Sequence, residues 1–249
     1  MPDVDVLFRE PALAAGLAAV IAAFFIACLE AWRDHRRRRA GEEVRSTVSA
    51  MVATITLLWV LCAACLAAWT GSGRSLEALG LGVGEGWRAL AAWSLAGAGV
   101  AWLFGDTLRQ LSSPERREGL ASSIQDAGGL DYFDFRSPRE AGLFQGLAVT
   151  AGITEEIVFR GFVMLTLAVA LPLWLAAILS AILFIVFHAY QGVAGMVRIA
   201  PITLVLTALV LLGGTLWPAI LVHIAVDMVG GLMIWGARAE LAVQRGAVR

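Results

Sequence analysis

The chain has 249 residues, of which 59% are hydrophobic and 16% charged, and its formal net charge is -1. This apolar fraction is well above that of an ordinary soluble domain, and the near-neutral charge gives no reason to expect a nucleic-acid partner. Runs of about 20 apolar residues recur along the chain, and such runs are typical of membrane spans.

Seven apolar runs follow one another in chain order. They cover residues 11–32, 47–69, 87–111, a stretch within 139–171, then 172–190, 196–212 and 217–235. Lipid offers no partner for backbone polar groups, so each run must be helical. We therefore predict an all-α fold, a polytopic membrane helix bundle with about seven transmembrane helices, which forms a single integral membrane domain over residues 1–249.

The arginines indicate the orientation of this bundle, because all 19 basic residues are arginine. Fifteen lie in segments that the seven spans assign to one side, chiefly residues 33–45, residues 109–139 and the C-terminal tail. Three lie on the other side: Arg9, Arg74 and Arg88. The positive-inside rule then predicts an N-terminus outside and a C-terminus in the cytoplasm. The acidic leader is unlike a cleavable signal peptide, so we expect a multi-pass protein of the bacterial plasma membrane with lipid as a partner.

Several other patterns favour ordinary structural explanations. Cys62 and Cys65 are spaced C-x-x-C within an apolar helix, where a thiolate is disfavoured, so we expect packing rather than redox chemistry. The polar stretch 112–138 is expected to be a solvated cytoplasmic loop, with a short surface helix that contacts lipid or substrate as the alternative. Gly142 and Gly146 form G-x-x-x-G, which suggests close helix packing.

A short set of ionisable residues remains inside the apolar runs, and such residues are expensive in lipid and are functional candidates. The first motif reads "TEEIVFRG" over residues 154–161. Glu156 and Arg160 are four residues apart on a helix, so they can pair. Glu155 points about 100° away and is left as the freer carboxylate, suited to the role of a general base.

Two further motifs lie on later helices. Phe184 precedes His188 by one helical turn, and His223 precedes Asp227 by the same spacing, so each pair shares a helix face. Two ways of activating water are open. Glu155, His188 and His223 could be metal ligands of a zinc that acidifies its bound water. Alternatively, Glu155 and His188 could deprotonate water without a metal, while His223 and Asp227 stabilise the oxyanion.

The motifs EExxxR, FxxxH and HxxxN/D occur here as residues 155–160, 184–188 and 223–227. In this order on successive membrane helices they resemble those of the CPBP family, which contains the type II CAAX prenyl proteases and the bacterial Abi, or bacteriocin self-immunity, proteins. The resemblance covers about 139–235 as a catalytic core and leaves 1–138 as family-variable N-terminal spans and loops.

The resemblance implies an intramembrane endopeptidase, of either the metalloprotease or the metal-free glutamate type. Its substrates would be membrane-associated proteins or peptides, prenylated or otherwise lipidated. By carry-over, Glu155 and His188 would activate the water, His223 and Asp227 would hold the tetrahedral intermediate, and Glu156, Arg160 and Phe184 would support them. Asp227 occupies the N/D position of the motif, where asparagine would be the better hydrogen-bond donor. An aspartate donates only when protonated, so Asp227 would act either as a neutral acid or as the group that orients His223.

The expected depths of these residues conflict. A straight helix from Arg139 would place Glu155 about 24 Å from its cytoplasmic end, whereas His188 would lie near the cytoplasmic end of its own span. His223 would lie only about 9 Å from the outer end of the last span. We therefore predict that residues 139–153 form a separate or kinked segment and that Glu155 begins the true span.

Two other functions are compatible with the same residues. A non-catalytic immunity or scaffold protein of this fold would keep the polar cluster for structure or ligand binding. A transporter would use it as a proton or ion relay, although the chain lacks the internal repeat that many transporters have.

Overall fold

A computed structural model describes residues 9–42, 46–126, 135 and 137–244 of the chain. Over these ranges the chain is helical, without strands, which confirms the predicted all-α class. The first four helices are α1 (Pro11–Ala40), α2 (Thr47–Gly71), α3 (Gly86–Gln110) and α4 (Pro114–Asp126). The next helix, α5 (Pro138–Glu155), continues through a π-helical segment (Glu156–Val163) into α6 (Met164–Ala168). The last three are α7 (Leu173–Phe187), α8 (Gly192–Gly213) and α9 (Trp217–Gln244).

Among the described residues, five helices are long and apolar enough to cross a membrane. They cover Pro11–Asp34, Thr47–Gly71, Gly86–Gln110, Ala189–Gly213 and Trp217–Arg238. The other two predicted spans correspond to the charged helix α5–α6 and to α7, which is apolar but has only 15 residues. A helix of that length extends about 22 Å, less than the hydrocarbon thickness of about 30 Å.

Three exposed tryptophans lie near the same end of the helix bundle. Trp87, Trp174 and Trp217 stand near the first residues of α3, α7 and α9, and they are 74%, 64% and 37% exposed. Exposed tryptophan at the ends of apolar helices is typical of a membrane–water interface. This end is the outer one in the predicted orientation, and we call it the tryptophan end.

Helices α5–α6 and α9 run antiparallel in close contact, and this pairing brings the functional motifs together. Glycines allow the approach at several levels, because a Cβ atom on Gly152 would lie 2.4 Å from Ile224 and one on Gly231 would lie 2.5 Å from Phe144. A Cβ on Gly161 would lie 3.2 Å from a side-chain carbon of Leu216. From Leu216 to Gly231 the contacts move forward along the chain into α9, while their partners move back from Gly161 to Phe144. This order is that of two antiparallel helices.

A connector closes the bundle at the tryptophan end. Residues Glu77–Leu81 form a short turn that kinks at Gly80, whose φ is +93°. The carbonyl oxygen of Gly80 accepts a hydrogen bond of 2.8 Å from the amide of Leu216. The indole N–H of Trp217 donates to the carbonyl of Leu81 at 2.9 Å. Leu79 and Leu216 are fully buried beside Gly161, so this connector covers the end of the bundle nearest the first motif.

Three local predictions need correction. Helical structure is continuous from Pro138 to Ala168, so residues 139–153 are not a separate segment and Glu155 does not begin a new helix. What changes at Glu156 is the winding, from α to π. The polar stretch 112–138 contains helix α4 rather than only loop, and residues 127–134 and 136 lie outside the described residues.

The G-x-x-x-G pattern does not make a close helix contact within the described chain, since no atom there lies within 4 Å of a Cβ built at Gly142 or Gly146. In contrast, the expected packing role of Cys62 and Cys65 agrees with their burial in the main hydrophobic core. That core also joins α1 to the first motif, because a Cβ on Gly16 would lie 2.3 Å from the ring of Phe162.

Candidate active site

The first motif forms a buried ion pair at the start of the π-helical segment. Nη1 of Arg160 lies 2.8 Å from Oε1 of Glu156, and the two residues are 1% and 0% exposed. The predicted pairing at helical spacing is therefore confirmed. Arg160 also stacks over the ring of Phe184 at 4.2 Å and approaches the carbonyl of Thr203 at 3.4 Å.

The same Glu156 oxygen has a second donor that the sequence did not predict. Nδ1 of His223 lies 2.8 Å from Oε1 of Glu156, and a carboxylate can only accept this bond, so Nδ1 carries the proton. Oε2 of Glu156 has no partner among the described side chains. A buried carboxylate that receives two charge-assisted bonds on one oxygen fixes both donors in place. Glu156 thus links the arginine of α5–α6 to the histidine of α9.

The other ring nitrogen of His223 faces two carboxylates. Nε2 lies 3.9 Å from Oε2 of Glu155 and 3.7 Å from Oδ2 of Asp227. Both separations are longer than a hydrogen bond. Glu155 and Asp227 therefore lie around the Nε2 side of His223, whereas Glu156 binds the opposite, Nδ1 side of the ring.

His188 has a defined tautomer as well. It is the C-cap residue of α7, and Nδ1 lies 2.8 Å from the carbonyl oxygen of Phe184. Since a carbonyl only accepts, Nδ1–H donates, and the lone pair of a neutral ring is then on Nε2. That nitrogen is the one available to act as a base or ligand.

Phe184 joins the three motifs into one cluster. Its ring centroid lies 4.7 Å from that of His188 and 6.0 Å from that of His223. The guanidinium of Arg160 stacks on the same Phe184 ring. All the predicted site residues therefore lie around one centre.

Burial separates these residues into a fully enclosed pair and a more accessible face. The side chains of Glu156 and Arg160 are 0% and 1% exposed, whereas those of Glu155 and Asp227 are 16% and 34% exposed. Because Leu79 and Leu216 cover the tryptophan end, the accessible face lies toward Asp227. Glu155 and Asp227 are therefore the accessible carboxylates of the site, whereas the ion pair is enclosed.

The antiparallel contact of α5–α6 with α9 resolves the predicted conflict of depth. The turn before α9 lies against Gly161, well short of the end of α6 at Ala168. His223 follows Leu216 by seven residues, and Glu155 precedes Gly161 by six, so both lie about 10 Å farther into the bundle. The short α7 brings His188 to the same centre. No tilted or re-entrant segment is required.

A protein zinc site needs at least three ligand side chains that converge on one point. Within the described ranges, no group of three or more His, Cys, Asp or Glu side chains is arranged to hold a metal ion. The predicted zinc ligands Glu155, His188 and His223 share a centre without forming such a group.

These features define the class of the protein: a polytopic helical membrane protein with a buried ionisable site built from three helices. Residues 138–229 match the model of a known family, described as type II CAAX prenyl endopeptidase Rce1-like. The matched region holds all three motifs, and it agrees with the resemblance that the sequence indicated. No curated protein and no solved structure matches the chain.

Proposed function

We propose that the chain is an intramembrane endopeptidase that hydrolyses peptide bonds in membrane-associated proteins or peptides. Prenylated or otherwise lipidated substrates are the class that the family description favours. The observation that carries the proposal is the position of His223, whose Nδ1 is bound to Glu156 and whose Nε2 faces Glu155 and Asp227. A histidine with only a structural role would be satisfied by the bond to Glu156. It would not need Glu155 and Asp227 near Nε2 at distances too long for hydrogen bonds.

Water activation is assigned to Glu155 and His188. Glu155 is the carboxylate of the first motif that Arg160 does not pair with, and it keeps partial access to water. His188 offers Nε2, since Nδ1–H is engaged by the Phe184 carbonyl. A water held between these groups can lose a proton to Glu155 as its oxygen attacks the scissile carbonyl carbon.

The tetrahedral intermediate is assigned to His223 and Asp227. The Nδ1–H group of His223 already donates to Glu156. Protonation of Nε2 would therefore give the ring a second N–H group, which can donate a hydrogen bond to the oxyanion. Asp227, 3.7 Å from Nε2, either orients this ring or donates as a neutral acid. The C–N bond then breaks, the amine leaves with the proton that Glu155 took from water, and a carboxylic acid is released.

Glu156, Arg160 and Phe184 are positioning residues in this scheme. Arg160 fixes Glu156, Glu156 fixes the tautomer of His223, and Phe184 contacts both histidines. Pre-positioned donors contribute most where water is excluded, and this pair is fully buried. In the predicted orientation the accessible face opens toward the cytoplasm, so cleavage should occur at that side of the membrane.

The proposal is tested with the full chain reconstituted in lipid with a membrane-anchored, lipidated peptide. Glu155→Gln and His188→Ala are each expected to lower the cleavage rate at least 100-fold, because general acid–base groups contribute 10²–10⁴-fold. Glu77→Gln, on the connector of the tryptophan end, is the control and should keep full activity. Unfolding temperature and solubility verify that each variant folds.

Normal cleavage by both Glu155→Gln and His188→Ala would refute the proposal. Retention of the biological effect by Glu155→Gln in cells would favour the non-catalytic immunity or scaffold alternative. Metal content and chelator sensitivity of the purified chain test the zinc assignment separately. One bound zinc per chain, with activity lost on chelation and restored by zinc, would require a metal-dependent mechanism.

A further inference from the structure

Helix α1 extends beyond its membrane span and carries a cluster of basic residues there. Its apolar span is Pro11–Asp34, whereas the helix continues to Ala40, about 9 Å farther. Arg36 and Arg37 lie in this extension, and Arg33 lies just before it. Basic side chains in the last turn also complement the negative end of the helix dipole, which helps to explain why the helix continues into water.

The extension borders a cavity of about 310 Å³ at the level where the apolar span ends. The cavity is lined by Trp32, Arg33, Arg36, Arg37, Ala40 and Glu42. Three arginines against one glutamate give its lining a net positive charge. We call this cavity the arginine cavity.

The geometry of the arginine cavity suits a group that is anionic on one side and apolar on the other. The guanidinium of Arg36 lies 5.0 Å from the ring centroid of Trp32, so the indole holds it in place. Trp32 is itself 53% exposed, and an exposed tryptophan at the end of a span lies at headgroup level. Arginine binds phosphate oxygens through its planar fork of N–H donors.

We propose that the arginine cavity binds the phosphate group of an anionic membrane phospholipid. Arg33, Arg36 and Arg37 contact the phosphate, while Trp32 lies against the glycerol and upper acyl region. Clustered arginines directly beside a membrane helix are the pattern that anionic lipid headgroups recognise. A role in orienting the chain during insertion requires only the charges, whereas this arrangement also has a cavity and a stacked guanidinium.

The test uses the purified full chain in a neutral detergent, titrated with phosphatidylglycerol and followed by native mass spectrometry. Each arginine near an anionic surface accounts for roughly a fivefold change in affinity, so R36Q/R37Q should weaken binding about 30-fold. The matched control is R139Q/R198Q, which removes two charges from the same predicted side but outside the cavity. It should bind within about twofold of the parent chain.

A second variant separates charge from misfolding. R36K/R37K keeps both charges and so the insertion of the chain, and it should bind phosphatidylglycerol within about fivefold of the parent. A loss as large as that of R36Q/R37Q would show that the two positive charges do not account for lipid binding, and it would overturn the proposal. Equal weakening by R36Q/R37Q and R139Q/R198Q would also overturn it, because binding would then follow total charge.

Competition identifies the source of the phosphate group. Inorganic phosphate at 10-fold excess over the lipid should leave phosphatidylglycerol bound, and phosphatidylcholine should bind more weakly than phosphatidylglycerol. Full displacement by inorganic phosphate would replace the lipid with a small anion as the ligand. Stronger binding of a short single-stranded RNA than of the lipid would overturn the assignment to a membrane ligand.

Discussion

Loss of Arg160 should destabilise the protein strongly, because it would leave Glu156 as a buried carboxylate without its cation. Both side chains are almost fully buried, and the bond between them is 2.8 Å. Removal of one partner of a buried ion pair costs about 3–5 kcal/mol. Arg160→Met removes the charge while it keeps much of the aliphatic volume, so we expect a loss within this range.

The size of the effect follows from what Arg160 contacts. The stacking on Phe184 at 4.2 Å contributes on the order of 1 kcal/mol, and the 3.4 Å approach to the Thr203 carbonyl contributes less. The remaining cost comes from Glu156, which would keep only the bond from His223. Because that bond orients the site, cleavage activity should fall together with stability.

The measurement is the free energy of unfolding in mixed micelles for Arg160→Met, Glu156→Gln and the double variant. Each single change leaves one buried charge without its counter-ion, whereas the double change removes both charges, so the cycle should give a coupling energy of about 2 kcal/mol or more. Arg88→Met, which breaks one exposed bond to the Leu211 carbonyl, is the control and should change stability by less than about 0.5 kcal/mol. A single Arg160→Met cost below about 1 kcal/mol, or additive effects, would refute this account.

Two further predictions concern helix packing and pH. Gly152→Val should separate α5 from α9, because a Cβ at this position would lie 2.4 Å from Ile224. We expect it to lower the free energy of unfolding by about 1–3 kcal/mol and to remove most of the activity. Gly146→Val is the control and should change little. Both are read from thermal unfolding and peptide cleavage, and equal tolerance of the two would contradict the contact. The hydrogen bonds from Arg74 hold the pKa of Glu10 below its ordinary value of 4.5. This pair should stabilise the fold above pH 4.5 and lose its effect as the pH falls through the lowered pKa, so Arg74→Gln should lower the unfolding temperature at pH 7 and leave it unchanged in strong acid. A difference that persists in acid would count against the pairing.

The class of fold and the candidate site residues could be predicted from the sequence, because both depend on local patterns. Apolar runs long enough to cross lipid must be helices, and ionisable residues within them are too costly to be incidental. The spacing of Glu156 and Arg160 places them on one helix face wherever the helix lies. These features survive any arrangement of the helices relative to one another.

The contact between Glu156 and His223 could not be predicted in the same way, because 67 residues separate the two. Local spacing suggested that Asp227, four residues after His223, would orient the ring. The structure instead places the hydrogen-bond acceptor on another helix, and Asp227 stands at 3.7 Å from the opposite nitrogen. The glycines of α5–α6 and α9 permit this approach, and only the packed helices reveal which glycines are used.

The sequence by itself determined a helical membrane protein with six ionisable or polar candidates and a family resemblance over its last helices. Only the tertiary structure decided their depth, the shared acceptor at Glu156, and the end of the bundle that is closed. The physical reason is that helix formation in lipid is dictated within each segment, whereas depth depends on where two helices meet. Here α9 begins against Gly161 rather than beside Ala168, and that offset brings His223 level with Glu155.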